Sequence, residues 1–151
     1  MCDELQKQNI EHLLEAGKAV MIKPQGYSMY PVIVPGRDAV IVQKADTSKI
    51  KRGDVVLYRR DEGILVIHRL YKRDKKGYYM VGDNQTTIEG PLRADQIKGK
   101  MTVLIRKDKK IYTDSLLYRI PCAIWLFMRP VRRPVSLAVA SVKRLLRKIA
   151  S

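Results

Sequence analysis

The stretch "GYSMYP", residues 26–31, sets Ser28 between a glycine and a Met-x-Pro. A serine hydroxyl is a weak nucleophile at neutral pH and needs a base beside it. The chain has two histidines. His12 falls in an N-terminal helical segment and His68 in the apolar run "ILVIHRL". Side chains alternate along a strand, so His68 shares a face with Ile64, Val66 and Leu70. Desolvation there lowers an imidazole's pKa and keeps it neutral, able to accept a proton. Asp83, in "VGDNQ" (81–85), ends a further strand, where a carboxylate can orient an imidazole and stabilise its charged form. Blander readings stand beside these: an ordinary turn at Ser28, a core histidine satisfied by a carbonyl, and turn chemistry in Gly-Asp-Asn. Cys2 and Cys122 make no metal spacing, and no metal or cofactor is expected.

The elements that must position these groups are mostly strands. Residues 3–17 read as a helix with a rough stripe of Leu5, Ile10, Leu13 and Leu14, stopped at Gly17. "AVMIK" (19–23) is a short strand, broken by Pro24 and Gly26. "DAVIVQK", "VVLYRR", "ILVIHRLYKR", "YYMVGDN" and "QIKGKMTVLIRK" follow as strands separated by Gly- or Pro-containing turns, with "VVLYRR" and "ILVIHRLYKR" forming a hairpin. The expectation is a mainly β, antiparallel domain with an N-terminal helix. Three parts are expected: a helix at 1–18, a β domain at 19–114 and a basic tail at 115–151. Pro121, Pro130 and Pro134 are expected to cut that tail into short pieces. From 135 to 149 the spacing of Val135, Val139, Val142, Leu145, Leu146 and Ile149 predicts a basic amphipathic helix.

Taken in order, "GYSMYP", "KRGDVVLYRR", "VIHRL", "VGDNQ" and "DQIKGKMTVL" resemble the signal peptidase I family and its self-cleaving repressor relatives. The resemblance covers roughly residues 19–105. In that family the nucleophile sits in a Ser-Met-x-Pro box, which Ser28, Met29 and Pro31 match. The base precedes an arginine, as His68 precedes Arg69. Most bacterial members carry lysine there, and the endoplasmic-reticulum, archaeal and sporulation branch carries histidine, so the chain is similar to the Ser-His branch. The resemblance implies a serine endopeptidase that cleaves a leader or signal peptide, with Asp83, or Glu89 six residues further on, as the orienting acid. It implies a pocket for a small side chain, with Tyr27, Met29 and Tyr30 as lining candidates. The chain departs from the pattern at Gly26, where the family often has a second serine for the oxyanion hole, and no N-terminal anchor is read. The rival expectations are an inactive peptidase-like binding module and a repressor-type, DNA-associated self-cleaving peptidase.

The net charge of +15 is unevenly placed. Residues 115–151 hold eight Lys or Arg and no acid, which points to an anionic partner. An anionic membrane surface is expected. Nucleic acid is disfavoured because no helix-turn-helix fits ahead of the strands. The N-terminus lacks the basic region and apolar run of a signal peptide, and no stretch approaches the ~18 to 20 apolar residues of a spanning helix. A cytoplasmic protein, peripheral at a membrane, with a peptide or preprotein substrate, is the resulting expectation.

Overall fold

The structure is a computed structural model that describes residues 2–130, with side chains from residue 9 onward. Helix α1 (Cys2–Glu15) ends ahead of Gly17, whose φ of +77° few other residues would accept. The strands are β1 (Val20–Ile22), β2 (Asp38–Gln43), β3 (Val55–Arg59), β4 (Leu65–Asp74), β5 (Gly77–Val81), β6 (Glu89–Leu92), β7 (Ile97–Arg106) and β8 (Lys109–Tyr112). Helix α2 (Leu116–Phe127) follows. Every pairing is antiparallel, in the order β1-β2-β7-β3-β4-β5-β6, with β8 also on β7. The fold is therefore mainly β with a short N-terminal helix, as the turn spacing predicts.

Two cores meet at the β3–β4 hairpin. Val55 and Leu57 face a core with Leu14, Met29, Ile33, Val40, Val42 and Met101, while Val56 and Tyr58 face another with Leu70, Tyr78, Met80 and Leu92. This is why "VVLY" is apolar at every position and not only at alternate ones. Strand β4 splits the same way. Leu65 and Ile67 pack toward the first core, and Val66 and Leu70 toward the second. Each fully buried aliphatic side chain contributes on the order of 1.5 to 3 kcal/mol.

The structure differs from the sequence reading in three places. β6, "EGPL", holds a glycine and a proline, which signal a turn; it lies at the sheet's edge, where proline is tolerated. β8, "KKIY", is too charged to read as a strand, but Lys107 and Asp108 take positive φ (48° and 61°) and fold it back along β7. Pro121 does not break the chain. It lies inside α2, whose Tyr118, Cys122 and Leu126 are buried. Tyr118 and Cys122 join the first core, and such burial offsets the roughly 3 kcal/mol a mid-helix proline costs. The helix expected at 135–149 lies outside the described residues. Among those described, no helix is long and apolar enough to cross a membrane.

The loop after β5 is clamped to the loop after β1. The Asn84 N–H donates to the Ser28 carbonyl at 2.8 Å. A Cβ on Gly82 would stand 2.6 Å from that same oxygen and 2.8 Å from Gln85 Oε1. Gly82→Ala must therefore push two backbones apart, and urea denaturation is expected to show a loss of about 1 to 3 kcal/mol. An unchanged midpoint would mean the loops do not meet this closely.

Candidate active site

Ser28 and His68 line one cleft of about 1160 Å³, with Met21 to Gly26 on one wall and Ile64 to Ile67 on the other. The second wall exists because β5 pairs with β4 only from Arg69 onward, where Arg69 faces Val81. Among the described residues, Leu65 to His68 thus have a β neighbour on one side only, β3. Ser28 is half-buried and His68 is 1% exposed. No hydrogen bond joins the hydroxyl to the imidazole. His12, the other histidine, is exposed on α1 and lies outside the cleft lining.

Strand register brings Tyr58 to His68. Val56 sits opposite His68 and Tyr58 opposite Val66, so Tyr58 is the diagonal neighbour of His68 on the same face. The Tyr58 hydroxyl lies 3.0 Å from His68 Nδ1 and 2.6 Å from Glu89 Oε2. Glu89, on β6, stands opposite Met80 of β5, and Met80 in turn stands opposite Leu70 of β4. Its carboxylate also takes two hydrogen bonds from Arg60, and Oε1 is 3.6 Å from His68 Nδ1. Burial alone would raise the Glu89 pKa, but the bonds from Arg60 and Tyr58 outweigh it and hold the group below its usual range. Glu89 is therefore ionised and can only accept.

The protons then follow. Tyr58 has one hydroxyl hydrogen, and it goes to Glu89. Burial and this bond both push the Tyr58 pKa up, so the phenol stays protonated. The phenolic oxygen can only accept from Nδ1, which must carry the imidazole hydrogen. Burial lowers the His68 pKa, opposed in part by the Glu89 charge. The ring is thus neutral, with Nε2 unprotonated and able to take a proton.

Asp83 has a different partner. Arg69 grips both of its oxygens, Nε to Oδ1 at 2.8 Å and a terminal nitrogen to Oδ2 at 2.7 Å, with the pair buried. Burial opposes the Arg69 charge, but the bond to Asp83 prevails and raises the pKa. Arg69 also donates to the Gly53 carbonyl at 2.6 Å, so the Arg-Gly-Asp turn and the Gly-Asp-Asn loop meet on one guanidinium. Of the two acids, Glu89 is the one coupled to the imidazole through hydrogen bonds, by way of Tyr58.

Tyr27 and Met29 line the cleft, Met29 reaching down into the first core. Tyr30 is not part of the lining; its ring is tilted against Tyr27 with centroids 6.5 Å apart. Gly26 has φ of +78°, a conformation that a serine adopts only with strain. Sequence reasoning overlooked Tyr58 and Arg60; the signal for Tyr58 was its place two residues beyond the position opposite His68 in the hairpin. Among the described residues no group of side chains is suited to hold a metal.

An antiparallel sheet thus brings a serine-bearing loop and a buried histidine to one cleft. Residues 4–103 match the family described as Peptidase S24-like, and the chain belongs to that family, within the superfamily shared by self-cleaving repressors and signal peptidase I. No curated protein matches the chain.

Tyr58→Phe keeps the ring and removes the bridge. Peptide hydrolysis is expected to fall about 10- to 100-fold, less than the ~10²- to 10⁴-fold worth of a positioned base. With His68 as the base, the rate of the intact protein should rise with pH through a limb below the ordinary histidine value of about 6.5, because burial depresses the imidazole pKa. An unchanged rate and an unmoved limb in Tyr58→Phe would contradict the bridge.

Proposed function

We propose that the protein is a serine endopeptidase with Ser28 as nucleophile, His68 as general base and Glu89, acting through Tyr58, as the orienting acid. Ser28 Oγ attacks the peptide carbonyl as its proton passes to His68 Nε2. That proton then goes to the departing amine, the C–N bond breaks and an acyl-enzyme remains. Water, deprotonated by the same nitrogen, releases the acid and restores Ser28. Backbone N–H groups, that of Ser28 included, serve the oxyanion, since Gly26 brings no hydroxyl. The imidazolium formed on the way is stabilised by the ionised Glu89 across the phenol.

The observation that carries this reading is that His68, its Nδ1 3.0 Å from the Tyr58 hydroxyl, lines one cleft with Ser28. The substrate class is an extended leader or signal peptide. Two features support it: among the described residues one cleft wall is an edge of β4 without a strand neighbour, where a peptide strand can pair, and the family resemblance extends to signal peptidase I. Tyr27 and Met29 border the position of the residue before the scissile bond.

Purified protein, Ser28→Ala and His68→Ala are to be incubated with leader-type peptides carrying a small residue before the cleavage point, and new termini read by mass spectrometry. The same samples report any cut in the protein's own chain. Wild type should cleave, and both variants should lose at least about 100-fold. Retained cleavage in both would remove the proposal.

A further inference from the structure

Helix α2 is apolar on nearly every side. Tyr118, Cys122 and Leu126 are buried. Among the described residues nothing covers its other face: Leu116, Leu117, Ile120, Ile124 and Phe127 are exposed, Leu117 at 89% and Phe127 at 80%. Arg119 is the one charged residue of the helix. A helix that is apolar all round belongs inside a protein core or a membrane. Here half of that surface faces outward, beside a groove of about 570 Å³ that Ile120, Ile124 and Phe127 help to line.

The chain that follows indicates what covers it. Residues 129–151 hold seven Lys or Arg and no Asp or Glu. An apolar protein partner would shield the helix but leave that charge unanswered. An anionic lipid surface meets both demands: acyl chains take the apolar face and headgroups take the cations, at about 1 kcal/mol for each basic residue near the surface. Twelve residues span only about 18 Å, short of the ~30 Å hydrocarbon layer, so the helix would lie in the interface and not across it.

We propose that the outer face of α2 docks on an anionic lipid surface. This rests on the helix and its charge, independently of the peptidase reading. Docking also fixes the cleft relative to the lipid. Trp125 Nε1 donates to the Asp83 carbonyl at 3.2 Å and Arg129 donates to the Thr86 carbonyl, so α2 is bonded to the loop that grips Ser28.

The test is flotation of the full chain with vesicles of phosphatidylcholine, with or without phosphatidylglycerol. The protein should float with the anionic vesicles and far less with the neutral ones, and salt should weaken the association. The double variant Leu117→Glu/Phe127→Glu should bind at least about 10-fold more weakly. Both side chains are exposed, so the variant should melt like wild type, which checks that it is folded. No flotation with anionic vesicles would overturn the proposal, as would a folded double variant that floats as well as wild type. A dimer in sedimentation that the double variant dissolves would also overturn it, assigning the face to a second copy.

Discussion

Two charges with almost no access to water, Arg69 and Asp83, organise the molecule around the cleft. Burying either alone would cost several kcal/mol, and removing one partner of such a pair typically costs about 3 to 5 kcal/mol. The guanidinium therefore needs partners on every side. Asp83 supplies two bonds and the Gly53 carbonyl a third. Three segments distant in sequence converge on one side chain: the turn before β3, strand β4 and the loop after β5. That loop in turn holds Ser28 through Asn84, and Trp125 of α2 bonds the Asp83 carbonyl. The pair works as a structural rivet whose chemistry is spent on position.

His68 is the next residue along β4, and alternation turns it to the opposite face. There it meets a second polar group, Tyr58 with Glu89 and Arg60, in a core that is otherwise apolar. The two networks divide the work. One holds the serine loop and the strand in register; the other sets a phenol and a carboxylate against the imidazole's Nδ1. The division needs no more than the period of two of a β-strand and a phenol with a single hydrogen to give.

Much of this was legible in the sequence. Ser28 stood out by its setting, His68 by its place in an apolar strand, and the strands by their turns. The acid was harder. Both Asp83 and Glu89 were in view, but deciding which faces His68 needs the register of β4, β5 and β6. That register passes through irregularities between Leu70 and Lys72 and between Tyr78 and Met80, which spacing alone does not reveal. Tyr58 was missed for a related reason: its role depends on a diagonal across the hairpin. Pro121 misled because a local helix breaker was outweighed by burial of the residues around it. Gly82 reads as turn chemistry in sequence, yet its lack of a side chain is what lets two loops touch.

The account stands on the state of one ring. Nitrogen-15 NMR of His68 in the 151-residue protein at neutral pH reports which nitrogen is protonated. The expected result is a neutral imidazole with hydrogen on Nδ1 and a bare Nε2. An imidazolium, or a ring with its hydrogen on Nε2, would leave Ser28 without a base and contradict the account.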